Sequence, residues 1–377
     1  MLFYFIWGGG LILITYFSKI LQLKVGKCEL QVNTLSLVYI LLALFIGLRD
    51  CLGFDDQMYI TCFEQIKSYG YTWRNIEKIF VLISKFAISI GATYQFIFLI
   101  FSCASCVLLY RVNSKLVNEG VNTIFIAIFL SFCLLDSLTL MRQFLAMCLT
   151  CYFYIEIKEE KKIKAIILAI MAFFVHKASL IVLVVYILIP TIKKLNAKVK
   201  IFILFLLYLL QFIPVAKFIQ HIVTNTFLDK YYYLSFYLGS RVDYRLFDNK
   251  IGIVTTTYLI LFCLIILQKE KQNNQNISSC NKYDDDLSTF SFIYFALLML
   301  FSQFGYATRI AYYFSIFAIA YISNNVLIVI KEDNRKYARM IFNLVLLLLF
   351  IYSIYNDCDT QGNRLLIPYR INFNLFN

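Results

Sequence analysis

Long apolar runs separated by short polar stretches dominate the chain. Twelve such runs fall at roughly 2–18, 32–48, 93–110, 121–135, 140–157, 163–175, 178–190, 199–215, 251–268, 287–303, 311–330 and 338–355. They are apolar on all sides, so each predicts a helix in a non-aqueous surrounding. Most reach the length needed to cross about 30 Å of hydrocarbon. The sixth and seventh are short and meet at His176. The stretch 76–91, NIEKIFVLISKFAISIG, carries too much charge to cross and predicts an amphipathic or re-entrant surface helix. The pattern predicts an all-α polytopic membrane protein with about 12 transmembrane helices, a single integral domain over residues 1–377. Its large external loops lie at about 49–92 and 218–250. The N-terminus lacks a basic leader and a small-residue cleavage site, so it reads as a first span.

Composition agrees with the pattern. The 377 residues are 61% hydrophobic with a mean hydropathy of +0.74, above the near-half apolar content of soluble domains. The net charge of +13 would point to nucleic acid in a soluble protein, but in a polytopic one it reports retained cytoplasmic loops, and no nucleic-acid partner is expected. The loops 18–31, 111–120, 158–164, 190–200, 269–286 and 331–339 hold 20 of the 35 Lys and Arg, so they read as cytoplasmic and both termini as external. The inner set is 17 Lys and 3 Arg; the outer set is 7 Lys and 8 Arg. Topology needs only positive charge. A planar fork of donors matters when a carboxylate or phosphate must be held in fixed geometry. The external face therefore reads as the working face, with an anionic ligand.

The densest chemistry lies in Leu138 to Tyr186. Two apolar helices are joined there by a Lys-rich turn, Lys158 to Lys164. Arg142 and Gln143 open the first helix and His176 ends the second, so a hairpin brings them to one side of the membrane. Arg309, among aromatics in FSQFGYATRIAYYF, falls on that side with Arg49 and Arg241. Several arginines facing a cavity suit a diphosphate leaving group. His176 can accept a proton from a hydroxyl near neutral pH, with Lys177 favouring its neutral form. Asp50, Asp55 and Asp56 follow Arg49 and suit sugar-hydroxyl binding or general-base work; His221, Asp243 and Asp248 are weaker candidates in the second loop. Cys103 and Cys106 read as buried small residues. No metal-ligand set, nucleotide-binding glycine loop or hydrolase triad is present, so no metal or other cofactor is expected.

These stretches resemble a known family. GLRDCLGFDDQMY at 47–59, MRQFLAMCL at 141–149, AFFVHKASLIVL at 172–183, GYATRIAYYFSI at 305–316 and IPYR at 367–370 are similar, in order, to the EpsG/Wzy-like polysaccharide polymerases, bacterial membrane proteins of extracellular polysaccharide and O-antigen synthesis. Phe54-Asp55-Asp56 departs from the family's small hydroxyl residue, Asp and aromatic, which leaves Asp55 and Asp56 unresolved. The resemblance implies a helical membrane glycosyltransferase using lipid-linked sugars. It would transfer a growing glycan from polyprenyl diphosphate to a new lipid-linked repeat unit on the outer face of the bacterial cytoplasmic membrane, without metal or nucleotide sugar. Its partners would be the lipid-linked oligosaccharide, membrane lipid and a chain-length regulator. On that implication Arg142 and Arg309 hold the diphosphate, and His176 or Asp55 serves the acceptor hydroxyl. Arg49, Gln143, Arg241, Arg245, Tyr306 and Arg370 bind substrate, and Tyr231, Tyr232, Tyr233 and Tyr237 stack on sugars. The rival readings are a lipid-linked oligosaccharide flippase, which needs charges in mid-span, a membrane O-acyltransferase, which needs a cytoplasmic acyl donor site, and a ligase sharing the donor chemistry. The topology predicts that a reporter fused inside Lys158–Lys164 reads cytoplasmic and one fused inside 218–250 reads external; the reverse pattern would invert the sidedness.

Overall fold

The computed structural model of the chain describes residues 1–17, 20–25, 28–53, 55–226, 230, 251–273, 282–304, 307–330, 332–359 and 369–376. Each of the twelve apolar runs contains helix. In chain order the helices are α1 (Leu2–Tyr16), α2 (Thr34–Gly47), α3 (Asp56–Tyr69), α4 (Lys78–Ser89), α5 (Tyr94–Leu116), α6 (Asn122–Phe132), α7 (Leu134–Thr139), α8 (Met141–Lys158) and α9 (Lys162–Val175). They continue with α10 (Leu180–Lys193), α11 (Ala197–Leu210), α12 (Val215–Thr224), α13 (Ile253–Asn273), α14 (Asp284–Leu300), α15 (Arg309–Tyr312), α16 (Ser315–Asn325) and α17 (Arg335–Asp359).

Helix length and composition agree with a membrane protein without confirming the expected count of about 12 spans. Three helices among the described residues, α5, α13 and α17, are long and apolar enough to cross a membrane by themselves, and α11 with α12, bent by 61°, makes a fourth if taken as one broken span. The other runs are shortened by local chemistry. Run 121–135 breaks at Cys133 into α6 and α7, run 311–330 breaks after Tyr312, and α8 keeps Arg142, Glu156 and Lys158 at its ends. Residues 18–31, expected as a loop, contain most of an antiparallel hairpin. Strand β1 (Ile20–Val25) pairs with β2 (Cys28–Asn33) in a register running from Ile20 opposite Asn33 to Val25 opposite Cys28. The alternation of apolar and polar residues in LQLKV and ELQVN supports it.

Contacts divide the chain into two compact units, residues 1–180 with 330–377, and residues 181–329. In the first, α6 and α8 are buried almost throughout, as helices apolar on every side must be. Around them pack α1, α2, α5, α9 and α17. The outer helices turn apolar rows away from the protein: Ile163, Ile166, Ile170 and Phe174 on α9, and Met340, Ile341, Leu344 and Leu348 on α17, are all exposed. Contiguous exposed rows of this kind are lipid-facing surface. The stretch expected as an amphipathic or re-entrant surface helix forms α4, which buries Phe80, Ser84 and Ala87 and exposes Leu82, Lys85 and Phe86.

The second unit is organised by α14. Its first turn is Asp284-Asp285-Asp286, part of a stretch that reads as a polar loop. Asp284 is buried, accepts the Asn325 side-chain amide of α16 at 2.8 Å and pairs with Lys269 of α13; Asp286 pairs with Lys193 of α10. Carboxylates are favourable at a helix N-terminus, so one acidic turn fastens three neighbouring helices. Gln303 fixes the bend between α11 and α12, donating to the carbonyls of Leu210 and Ile213 at 2.8 and 2.6 Å and accepting the Ala216 N–H at 3.0 Å.

At the Lys-rich turn of the first unit, Glu159 accepts from Lys115 at 2.7 Å and Lys161 at 2.6 Å, tying α5 to the α8–α9 turn. These hydrogen bonds and charges hold the Glu159 carboxyl down to about 2. Because the folded value lies below the ordinary one, the stabilisation is fully present above the ordinary carboxylate range and is lost as pH falls through about 2. Glu159→Gln should cost at most about 1 kcal/mol at neutral pH, with the unfolding temperatures of mutant and parent converging as the pH is lowered; a constant gap in detergent-solubilised protein would remove this assignment.

Candidate functional site

The candidate site lies in the first unit, at the end of the α8–α9 hairpin opposite the Lys-rich turn. Helices α8 and α9 pack along one another, and the short 3-10 turn Lys177–Ser179 after His176 touches α8. This juxtaposition is the one the hairpin pattern predicts: Arg142 and His176 share an end. The His176 backbone is extended and its N–H caps α9 on the Ala172 carbonyl at 2.9 Å, so the side chain is held, half buried, at the break between two helices.

The loop from α2 to α3 forms the base of this end. Arg49 is completely buried. It donates to both carboxylate oxygens of Asp56, from Nε at 3.0 Å and Nη2 at 2.7 Å, and from Nη1 to the Ile46 carbonyl at 2.6 Å. Its guanidinium lies 4.7 Å from the centre of the Phe98 ring. The Gly53 N–H donates to the same carboxylate at 2.7 Å. A Cβ on Gly53 would collide with the Leu138 carbonyl, and one on Gly47 with Ser102 and the α5 backbone. The spacing of Gly47, Arg49, Gly53 and Asp56 is thus that of a closed knot in which two glycines let backbone and side chains meet around an ion pair. Gln95 of α5 secures it by donating to the Gly47 and Arg49 carbonyls at 2.6 and 3.1 Å.

The C-terminal segment crosses this knot. Ile371 bridges antiparallel to Arg49 and Phe376 to Ala92. The Arg370 carbonyl accepts the Asp50 N–H at 3.0 Å, and the Asn372 N–H reaches the Leu48 carbonyl at 2.9 Å. Tyr369 stacks on Phe45 with ring centres 4.4 Å apart, and Trp7 stacks on Phe45 at 3.8 Å. The start of α1, the end of α2 and the chain terminus are joined by these rings.

Above the knot, Arg142 pairs with Glu77, just before α4, and its guanidinium lies 5.3 Å from the Tyr59 ring centre of α3. Burial pushes the Tyr59 hydroxyl above its ordinary value, and the nearby Arg142 charge opposes this. Arg142 is little exposed but is not sealed as Arg49 is, with 13% of its side chain accessible. Glu77 and Tyr59 were not legible as site residues: Glu77 is a lone acid ahead of an amphipathic stretch, and only the packing of α3, α4 and α8 brings it to Arg142.

The expected site residues therefore divide. Arg142, Gln143, His176, Asp55 and Arg370 all belong to the first unit; Asp55 is half buried, Gln143 buried and Arg370 exposed. Arg49, expected to bind ligand, is sealed inside and presents no donor to one. Asp56 is its counter-ion, which separates it from Asp55, where the sequence leaves the two unresolved. Arg309 begins α15 in the second unit and is half buried, and His221 is exposed on α12. Arg241, Arg245, Tyr306, Asp243, Asp248, Tyr231, Tyr232, Tyr233 and Tyr237 lie outside the described residues. Among the described residues no group of three or more His, Cys, Asp or Glu could hold a metal ion.

Removing one partner of a buried pair strands the other charge, at a cost of about 3–5 kcal/mol. Asp56→Asn should lose that order of stability, whereas Asp55→Asn should change it by less than about 1 kcal/mol. Thermal unfolding of the purified variants measures both, and equal losses would show that the knot does not depend on Asp56. A family model described as EpsG family matches residues 32–371. No curated protein and no solved structure matches the chain.

Proposed function

The chain belongs to the EpsG family, a family of polysaccharide-polymerase type, and from that premise we propose that it polymerises polyprenyl-diphosphate-linked oligosaccharide repeat units at the outer face of a bacterial cytoplasmic membrane. The observation that carries the reading is the shared end of Arg142 and His176 on an antiparallel helix pair. Beside that end lies the Arg49–Asp56 knot, and the unit's helices turn apolar rows outward.

Each group has a task in such a reaction. An acceptor sugar hydroxyl attacks the anomeric carbon of the growing glycan; the carbon–oxygen bond to the lipid diphosphate breaks, and the leaving diphosphate takes the bonding electrons. Arg142 supplies the planar donor fork that this charge requires. Glu77 and Tyr59 hold the fork in place, and a diphosphate would compete with Glu77 for it. His176 or Asp55 takes the hydroxyl proton. Arg309, by its motif, is proposed for diphosphate binding in its own right. Prenyl chains would lie against aliphatic helix surfaces such as that of α9.

Deleting the gene in its host and separating the surface polysaccharide by size tests this. The deletion should leave single repeat units. Arg142→Ala and His176→Ala, present in the membrane at parental levels, should restore little polymer, with chain-extension rates down on the order of 10²–10³-fold for the arginine. Arg142→Lys should rescue poorly, because a point charge does not replace a fork. Full-length polymer from Arg142→Ala would refute the diphosphate assignment. Absence of surface glycan with lipid-linked units trapped inside would favour the flippase, and loss of attachment without loss of length would favour the ligase.

A further inference from the structure

Between α3 and α4 three aromatic rings stand together in the open. Tyr69, Tyr71 and Trp73 are 59%, 53% and 63% exposed. Tyr69 and Trp73 have ring centres 5.0 Å apart, Tyr71 and Trp73 5.7 Å, and Tyr69 and Tyr71 6.4 Å. The turn that presents them is fixed. Gly70 ends α3 with a φ of +77°, which strains any side-chain-bearing residue. Thr72 donates to Gln65 at 2.7 Å and accepts the Arg74 N–H at 3.2 Å.

Exposed aromatic rings suit either a bilayer interface or a sugar. The lipid-facing rows of this chain are built differently, mainly from Ile, Leu and Met with single aromatics such as Phe174 among them. Along the chain on either side of the cluster, no aliphatic side chain is exposed between Leu44 and Leu82 among the described residues. The rim is polar instead, with Lys67, Arg74 and Asn75 exposed. Aromatic faces carry partial negative charge and attract the C–H face of a pyranose, while Arg74 and Asn75 can bond its hydroxyls. Trp73 also precedes Glu77, the partner of Arg142, by four residues, a reach of at most about 14 Å. The patch therefore lies within that chain length of the proposed diphosphate site.

We propose that Tyr69, Tyr71 and Trp73 form a stacking subsite for sugar rings of the glycan whose lipid diphosphate is held at Arg142. The proposal rests on the polymerase reading and adds where the saccharide runs. Arginine and asparagine on the rim select hydroxyl-rich rings, and the aromatic trio tolerates their variety.

The chain holds two tryptophans, so Trp7→Phe leaves Trp73 as a single fluorescent reporter. The variant is placed in lipid nanodiscs with and without doxyl-labelled lipid. The probe is oligosaccharide released by mild acid from the host's own surface polysaccharide. Should Trp7→Phe fail to fold, the difference between parent and Trp73→Phe spectra gives the same readout. The expected result is a saturable change in Trp73 emission, protection from acrylamide and little doxyl quenching, with affinity about tenfold weaker in Tyr69→Ala/Tyr71→Ala. In cells that double variant should still polymerise but make shorter chains. Strong doxyl quenching without an oligosaccharide response would make the trio an interfacial anchor and overturn the proposal, as would no response to either. Full-length polymer in the deletion host would instead refute the polymerase reading, leaving the Trp73 binding result to stand separately.

Discussion

The buried Arg49–Asp56 pair is the constraint on which the arginine-rich end of the first unit depends. A fully buried guanidinium is tolerated only when its charge and donors are matched. Asp56, the Ile46 carbonyl and the Phe98 face supply that match. Once the pair is fixed, α3 must start under the end of α2, and Gly53 must lie against the Leu138 carbonyl just ahead of α8. Tyr59, one turn into α3, is thereby placed beside Arg142. The knot thus sets the position of the candidate chemistry without taking part in it.

Two arginines with similar sequence surroundings consequently have different tasks. Both stand near the ends of apolar helices and both pair with a carboxylate. Arg49 is closed off by backbone on several sides, so its pairing is architectural. Arg142 faces Glu77 at a partly open corner, where the proposed diphosphate would compete with the carboxylate. Burial, rather than residue type, separates them. The acidic run of the second unit gives the same lesson with opposite charge: Asp284 and Asp286 read as loop residues, yet they are buried at a helix start and bind three helices together.

The polymerase reading, the knot and the aromatic patch fit one physical scheme. In that scheme lipid would be met by the apolar rows on α9 and α17, and phosphate by a held but accessible arginine. Sugar would be met by rings on a rigid turn with a polar rim. Each surface has the chemistry of the part of the substrate assigned to it.

The sequence by itself determined the helical membrane character, because a chain this apolar can satisfy its backbone only in helices. It also determined that Arg142 and His176 share an end, because two apolar helices joined by a short charged turn must run antiparallel. The five ordered motifs carried the family. Tertiary structure alone decided which Asp after Arg49 is structural, that Glu77 and Tyr59 attend Arg142, and that the C-terminal residues cross the knot. Those outcomes depend on contacts between residues far apart in the chain, and on the burial such contacts create, neither of which leaves a local periodic signal.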